Sequence, residues 1–332
     1  MTIEGDKTPL NEFDLIDRFF APLSTVMPGA YGLTDDAATI HCQSGKELVL
    51  TKDAMVSGIH FLENDDPADI ARKLLRVNLS DLAAMGAAPV GYLLATFWPI
   101  DHPVDWIRSF ADGLARDQAE YGIGLLGGDT VRTPGPLSLS LTAVGEVGQG
   151  TALRRNGARH GDLIVVSGTI GDGALGLLAL QGKLDAIDPA HRDWLADRYH
   201  LPTPRLSLGK CLIGKATACA DISDGLVADI GHICEASAVG AVVNARKIPL
   251  SDAAIACVKQ DPLLLPVILT GGDDYELAFS VPARDADIIP GLAADANITL
   301  TVVGHIEGGE GVRVLDQDGA EIPLLRPGWQ HF

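Results

Sequence analysis

The sequence predicts an α/β or α+β protein built from two domains. Three observations support this prediction: the chain length, an ordinary globular composition, and the alternation of helical with strand-like segments. The 332 residues are enough for about two domains. With 47% apolar and 21% charged residues, the chain can bury a hydrophobic core. The glycine-rich segment Gly148-Gln149-Gly150 is the expected boundary, which gives domains of residues 1–150 and 151–332.

In the first predicted domain, the spacing of apolar residues separates helices from strands. Phe13, Ile16, Phe19 and Phe20 form a helical stripe within residues 11–20. The next predicted elements are strands at 37–41 and 47–51, a helix at 67–85, a strand at 90–98, a helix at 104–121, and strands at 123–126 and 137–147. Pro67 suits the first turn of its helix because proline lacks the N–H that this position leaves unpaired.

The second predicted domain continues the alternation. Its elements are a strand at 162–167, a helix that starts at Gly171-Asp172-Gly173, a strand at 217–220, a helix that runs through Ala236, and a strand at 275–281. The last segment alternates Tyr, Leu, Phe and Val with Glu, Ala and Ser. Such alternation predicts a strand with one buried and one exposed face.

An uncharged stretch, residues 82–100, resembles a membrane span in length only. Gly86, Pro89, Gly91 and Pro99 interrupt it, so a helix end, a turn and a buried strand explain it better. The five cysteines are odd in number and form no C-x-x-C pair, and the N-terminus is acidic rather than signal-like. These features predict a cytoplasmic protein with free thiols and no membrane contact.

The charge of the chain limits its partners. A formal net charge of −19 and a pI near 4.7 argue against nucleic acid, which needs a basic surface. The same charge would repel a phosphorylated substrate unless divalent cations stood between carboxylates and phosphates. The sequence therefore predicts metal ions wherever a phosphate is bound.

Six short acidic motifs make such a metal site plausible. They are Thr34-Asp35-Asp36, Thr51-Lys52-Asp53, Asn78-Leu79-Ser80-Asp81, Gly127-Gly128-Asp129, Asp221-Ile222-Ser223-Asp224-Gly225 and Gly271-Gly272-Asp273-Asp274. Several follow apolar strands, and ligands bind at the carboxyl ends of strands in open α/β sheets. Carboxylate and hydroxyl oxygens are the ligands that Mg²⁺ prefers.

Each motif also has a purely structural interpretation. Asp53 and the Gly127–Asp129 segment could be turns, and Ser223 or Asp224 could cap a helix. His60 and Trp329 could be structural, Trp329 as an anchor in the core. The basic pair Arg154-Arg155 could be solvated or could hold a phosphate.

Taken together and in this order, the motifs resemble those of the thiamine-monophosphate kinase family. Its superfamily also contains aminoimidazole ribonucleotide synthetase, selenophosphate synthetase and a hydrogenase-maturation dehydratase. The resemblance also rests on two further segments, Asp53-Ala54-Met55-Val56-Ser57-Gly58-Ile59-His60-Phe61 and Tyr275-Glu276-Leu277. The resemblance implies two α/β domains, of which the first forms a homodimer. It also implies phosphorylation of thiamine monophosphate by ATP to give thiamine diphosphate.

The resemblance also implies roles for individual residues, with no general base among them. The implied ligands of several Mg²⁺ ions are Asp36, Thr51, Asp53, Asp81, Asp129, Asp221 and Asp224. The implied ATP contacts are Gly128, Asp129, Arg155 and Ser223. The implied contacts to thiamine monophosphate are His60, Asp273 and Trp329.

Three residues depart from the family pattern. Thr34 replaces a glycine, Lys52 replaces a small hydroxyl residue that binds metal, and Asp273 replaces a glutamate. Lys52 cannot bind Mg²⁺ while it is protonated, so one metal position could be lost. Two alternatives stay open at this point: a sibling enzyme that acts on another phosphorylated small molecule, and a metal-binding protein without catalysis.

Overall fold

A computed structural model describes residues 11–324 and 326–329 of the chain. Within them the chain divides into two compact units. The first unit contains the residues up to Cys42, Leu50–Leu75 and Pro89–Val144. The second contains Gln43–Val49, Arg76–Ala88 and the chain from Gly145 onward. The second unit therefore includes two short segments from the first half of the sequence.

The first half of the chain alternates helices and strands as predicted. In order it contains α1 (Glu12–Leu15), β1 (Lys46–Val56), α2 (Pro67–Ala84), β2 (Ala88–Pro99), α3 (Val104–Tyr121), β3 (Gly124–Thr133) and β4 (Ser138–Gly148). A π-helical turn, Ile16–Phe20, continues α1. Helix α3 ends where Gly122 adopts a left-handed conformation with φ of 66°, which glycine reaches without strain.

The strand predicted at 37–41 is wrong. These residues have no regular secondary structure, although Thr39 donates a backbone hydrogen bond to the carbonyl of Gly29 at 2.8 Å. Two other strands are longer than predicted, because β1 extends to Val56 and β3 to Thr133. Asp53 and Asp129 therefore lie within strands rather than in turns after them. Both strands are at sheet edges, where polar residues are tolerated, so a count of apolar residues ends them too early.

The sheet of the first unit has the strand order β1-β4-β2-β3, with β2 and β3 parallel. Along β2, side chains alternate between two faces. Tyr92 and Trp98 are buried, whereas Leu93 and Phe97 are 42% and 37% exposed. Strand β1 carries exposed leucines in the same way, with Leu50 at 66%. Thus one face of this sheet is packed, and the other presents apolar side chains to the outside.

The second half of the chain forms a six-stranded mixed sheet with several helices. Its elements are β5 (Asp162–Ser167), α4 (Asp172–Leu180), α5 (Pro189–His200), α6 (Leu206–Leu212), β6 (Ala218–Asp221), α7 (Leu226–Ser237), β7 (Gly240–Asn244), α8 (Asp252–Gln260), α9 (Leu264–Thr270), β8 (Leu277–Pro282), α10 (Ile289–Ala296), β9 (Leu300–Glu307) and β10 (Gly311–Leu315). The strand order is β10-β7-β9-β5-β8-β6. No helix among the described residues is long and apolar enough to cross a membrane.

The exposed face predicted for the 275–281 strand is wrong, because β8 is buried on both faces. It pairs antiparallel with β5 on one side and β6 on the other. Phe279 packs in one hydrophobic cluster and Ala278 in another on the opposite face. The polar residues of the alternation are buried as well and find partners. Ser280, for example, lies 2.6 Å from the hydroxyl of Thr217.

Glu276 forms a buried ionic contact in the second unit. Its side chain has no exposed surface, and it accepts hydrogen bonds from both Nε and Nη2 of Arg205. Arg198 donates to the same carboxylate at 3.3 Å, and the hydroxyl of Ser167 donates at 2.6 Å. Because a buried charge is costly unless it is paired, this network holds the residue that immediately precedes β8 in one position.

We predict that Glu276→Gln lowers the free energy of unfolding by about 2–4 kcal/mol, because it leaves two partly buried arginines without a counter-charge. Urea unfolding at pH 7 measures this effect. Glu307→Gln is the matched control, because Glu307 forms a more exposed pair with Arg313. The control should lose less than about 1 kcal/mol. Equal losses in the two variants would contradict the role of the buried network.

Candidate functional site

Two of the predicted motifs are joined by backbone hydrogen bonds in the second unit. The antiparallel pairing of β6 with β8 continues past the ends of both strands. The N–H of Tyr275 donates to the carbonyl of Ile222 at 2.8 Å, and the N–H of Asp273 donates to the carbonyl of Ser223 at 3.0 Å. We call residues 221–225 the first acidic loop and residues 271–275 the second acidic loop. The pairing places Ser223 beside Asp273.

Glycines permit this close approach. A Cβ at Gly272 would lie 2.1 Å from the carbonyl oxygen of Ser223, so a larger residue would separate the two loops. Asp273 itself has a φ of 70°, a conformation in which non-glycine residues are strained. Backbone strain of this kind is found more often at functional sites than elsewhere.

Asp229 organises the first acidic loop, and the sequence analysis missed it. Its Oδ2 accepts the backbone N–H groups of Ser223 and Asp224 at 3.0 Å and that of Gly225 at 3.1 Å. Helix α7 begins after Gly225, and no side chain caps it. The interpretation of Ser223 or Asp224 as a helix cap is therefore wrong. An aspartate within the first turns of a helix that follows an acidic loop is the signal that could have revealed Asp229.

Asp221 lies among other carboxylates. It is buried, and the hydroxyl of Ser80 donates to its Oδ2 at 2.8 Å. Burial raises the pKa of Asp221 well above its usual value, and the nearby charges of Asp81 and Asp229 raise it further. Arg155 acts in the opposite direction. The second unit thus brings Asp81, Asp221 and Arg155 into one electrostatic neighbourhood, although the sequence separates them by up to 140 residues.

The carboxyl group of Asp229 shows the same crowding. Burial and the charge of Asp224 raise its pKa to about 7, against the lowering effect of its backbone hydrogen bonds. Ionised carboxylates packed this closely repel one another. A divalent cation bound to the oxygens relieves that repulsion, so the donor set fits Mg²⁺.

The C-terminal segment is attached to the first acidic loop. The N–H of Trp329 donates to the carbonyl of Asp224 at 3.0 Å. Gly328 packs closely on α7, because a Cβ there would lie 2.4 Å from that of Ala228. The indole of Trp329 is 57% exposed. The alternative that Trp329 anchors the core is therefore wrong, and this aromatic ring is held beside the acidic loops.

Asp274 is a second residue that the sequence analysis did not assign. It is buried and accepts the N–H groups of Gly171 at 2.7 Å and Gly173 at 3.1 Å. Burial raises its pKa well above the usual value. Asp274 therefore fastens the second acidic loop to the start of α4. The Gly171-Asp172-Gly173 segment is a helix start, as expected, since Asp172 is the first residue of α4.

Four predicted site residues lie on strands of the first unit, as two separate pairs. Thr51 and Asp53 share one face of β1, while Lys52 between them is exposed on the other face. Gly128 and Asp129 lie on β3, opposite Leu94 and Ala95 of β2. Because β1 and β3 are the two edges of this sheet, roughly 14 Å of strand spacing separates the pairs.

Gly128 has a structural reason to be glycine. A Cβ there would lie 1.8 Å from the carbonyl oxygen of Leu94, so the residue permits the pairing of β2 with β3. This close packing is a sufficient reason for a glycine at position 128. Asp129 beside it is exposed, and its carboxylate accepts its neighbour Thr130's N–H at 2.9 Å.

The remaining two predicted site residues also lie in the first unit. Asp36 is exposed in the irregular segment before β1. His60 is half-buried, and its Nδ1 accepts the N–H of Val56 at 3.1 Å. This bond fixes the ring and requires Nδ1 to be unprotonated.

We predict that Asp229→Asn flattens the dependence of stability on pH in metal-free protein. The folded state raises the pKa of Asp229 from 3.8 to about 7, so it binds this proton more tightly than the unfolded state. The free energy of unfolding should therefore fall as the pH rises from about 4 to about 7. Asparagine keeps the acceptor oxygen and removes the titration.

The measurement is urea unfolding at a series of pH values with a chelator present. The exposed Asp252, in the first turn of α8, provides the control variant Asp252→Asn. The gain of Asp229→Asn over the wild type should be near zero at pH 4 and largest above pH 7. Parallel profiles for all three proteins would refute the assignment.

Comparisons with known proteins agree with this geometry. The family model for the AIR synthase related protein, N-terminal domain, matches residues 34–147, and the model for its C-terminal domain matches residues 159–317. The thiamine-monophosphate kinase of Caulobacter vibrioides is 44% identical over 326 residues, which cover 97% of this chain and 91% of that protein.

Solved structures extend the agreement to the fold. The crystal structure of thiamine-monophosphate kinase from Stenotrophomonas maltophilia K279a is 43% identical with a TM-score of 0.82, and the match covers 94% of this chain and 98% of that chain. A structure of AaThiL complexed with AMPPCP and TMP is 33% identical with a TM-score of 0.77, and the match covers 98% and 100%. The two-domain α/β (α+β) prediction is confirmed, and the chain belongs to the thiamine-monophosphate kinase family of AIR synthase related proteins.

Proposed function

We propose that this chain transfers the terminal phosphate of ATP to thiamine monophosphate and so forms thiamine diphosphate. The observation that carries the proposal is the match, over 98% of this chain, to a relative that holds AMPPCP and TMP. The joined acidic loops support it, because they place oxygen donors, an arginine and an exposed tryptophan in one neighbourhood. The relatives named thiamine-monophosphate kinase, at 32–44% identity, favour this activity over that of a sibling enzyme.

Mg²⁺ is the cofactor that the donor set supports best. We assign its binding to Asp36, Thr51, Asp53, Asp81, Asp129, Asp221 and Asp224, which offer only carboxylate and hydroxyl oxygens. When bound, Mg²⁺ neutralises the charge on the phosphates of ATP. The chain's own part is to hold Asp221 and Asp224 in fixed positions through Ser80 and Asp229.

Different residues are assigned to the nucleotide and to the acceptor. The proposed ATP contacts are Gly128, Asp129, Arg155 and Ser223. Asp273, His60 and Trp329 are the proposed contacts to thiamine monophosphate. The exposed indole suits the thiazolium ring, a permanent cation, because cations are attracted to aromatic faces.

The transfer needs no general base. The second pKa of a phosphate monoester is about 6, so the acceptor is largely a dianion at neutral pH and is nucleophilic without help. The protein's task is to align the acceptor with the terminal phosphate of ATP and to balance the charge. Direct in-line transfer, without a phosphorylated enzyme, follows from this chemistry.

We propose that the chain acts as a homodimer through the open face of its first sheet. Exposed leucines and Phe97 on that face are the reason, since contiguous apolar surface of this kind usually meets a partner. We also propose that the domains span residues 1–150 and 151–332 and that the protein is cytoplasmic.

The test of the function is a coupled assay of ADP release with a panel of phosphorylated acceptors. Thiamine monophosphate should give turnover, whereas aminoimidazole-type and sugar phosphates should give none. Excess chelator should abolish turnover, and Mg²⁺ or Mn²⁺ should restore it. Preference for another acceptor would support a sibling enzyme. Metal binding without any turnover would support the non-catalytic alternative.

We predict that Trp329→Ala raises the KM for thiamine monophosphate by roughly 5- to 30-fold, equivalent to about 1–2 kcal/mol of lost contact. The KM for ATP should stay nearly constant, because the indole contacts only the acceptor. Trp194→Ala serves as a control, since Trp194 is also partly exposed and lies on α5. Equal changes in both KM values would count against the proposed pocket.

We predict that Lys52→Thr leaves the Mg²⁺ titration of activity unchanged. Lys52 is exposed on the face of β1 opposite Thr51 and Asp53, so its ammonium does not occupy a metal position. The loss of a metal position that Lys52 suggested would then not occur. Asp53→Asn, as the positive control on the same strand, should lose most activity. A shifted titration midpoint for Lys52→Thr would show that this face takes part.

A further inference from the structure

A histidine stands beside the first acidic loop, and neither the sequence nor the proposed kinase site accounts for it. His232 lies on α7, three residues after Asp229, so the two side chains share a face of the helix. One ligand atom each from Asp224, Asp229 and His232 lies within 4.8 Å of the others. Zinc and similar metals bind their ligands at about 2.0–2.2 Å, so atoms within this limit are close enough to be candidate ligands of one shared ion.

A second observation concerns the carboxylate in the middle of this group. Asp229 is only 1% exposed. Its Oδ2 accepts three backbone N–H groups, but among the described residues no donor reaches its Oδ1. A buried carboxylate oxygen without a partner is costly, and native proteins seldom leave one unsatisfied. A cation at this position would satisfy the oxygen.

The chemical type of the donor atoms determines which cation this group would bind best. The proposed Mg²⁺ ligands offer only oxygen, which Mg²⁺ prefers, whereas this group adds an imidazole nitrogen. Mn²⁺, Fe²⁺ and Zn²⁺ accept a mixture of carboxylate and imidazole readily. Two carboxylates and one imidazole would supply both types of donor to a dication.

We propose that Asp224, Asp229 and His232 form a binding site for a first-row transition-metal dication, distinct in its donor set from the oxygen-only Mg²⁺ positions. The site shares Asp224 with the proposed kinase function but does not depend on that function. A metal here would join α7 to the loop that holds Ser223 and, through the carbonyl of Asp224, Trp329. It would fix the loop next to the substrates more firmly than Mg²⁺ alone.

The test uses Mn²⁺ as the probe on the full chain. Pulsed electron paramagnetic resonance detects the magnetic coupling between Mn²⁺ and a directly bound ¹⁴N nucleus. The wild type should show this coupling, and excess Mg²⁺ should not remove it. His232→Ala should lose the coupling and weaken the binding of one Mn²⁺ ion by about tenfold or more. His160→Ala, an exposed histidine of the same unit, is the matched control and should retain both.

Several results would overturn the proposal. These are a wild type without nitrogen coupling, coupling that survives in His232→Ala, or equal loss in the His160→Ala control. His232→Gln, which preserves polarity, replaces His232→Ala if the alanine variant unfolds. Turnover with Mg²⁺ is measured on the same samples. Turnover without nitrogen coupling would refute the transition-metal site and leave the proposed function intact. Nitrogen coupling without turnover would support the transition-metal site and refute the proposed function.

Discussion

The antiparallel pairing of β6 with β8 is the constraint on which the second unit's site depends. Strand β6 leads into the first acidic loop and β8 begins just after the second, and the ladder continues into both loops through the backbone of Ile222, Ser223, Asp273 and Tyr275. Because backbone bonds make this connection, it does not require the carboxylate oxygens of the acidic residues. The same loop receives the C-terminal segment at Asp224. This sheet pairing thus joins residues such as Ser223 and Asp273, which are 50 positions apart in sequence.

This arrangement concentrates negative charge at the cost of stability. Asp221, Asp229 and Asp274 are buried, and burial raises the pKa of each carboxyl group. Hydrogen-bond donors held in place by the fold offset part of this cost. They are backbone N–H groups and the hydroxyl of Ser80. Such crowding is typical of sites that are completed by a cation, and it explains how an acidic protein can bind anionic substrates.

The sequence predicted the long, strongly periodic helices well. Residues 67–85 and 104–121 correspond closely to α2 and α3, because their apolar stripes and their terminal proline or glycine act locally. The prediction was wrong where contacts between distant segments determine the structure. The segment 37–41 has strand-like residues but pairs with no strand in the part of the chain that the structure describes. The polar residues of β8 are buried because strands flank it on both sides.

The candidate site divides in the same way. The motifs predict Asp221, Ser223, Asp224 and Asp273 as candidates, since short glycine-rich acidic loops are visible in sequence. Asp229 and Asp274 are not among these candidates, because each acts through hydrogen bonds to loop backbone that only the fold reveals. The face of β1 on which the Lys52 side chain lies likewise depends on the register of the strand and not on its neighbours in sequence. The alternation of a strand could have predicted it, had β1 been recognised as continuing past Thr51.

We propose that the two acidic loops, held by one ladder, form one surface on which the metal–nucleotide complex binds beside thiamine monophosphate. Amide hydrogen exchange, with and without saturating Mg²⁺ and AMPPCP, measures this most directly. The account predicts that exchange slows together at residues 222–225 and 273–275, because the same ladder holds both loops. Slowing confined to one loop, or unchanged exchange in both when the nucleotide is bound, would contradict it.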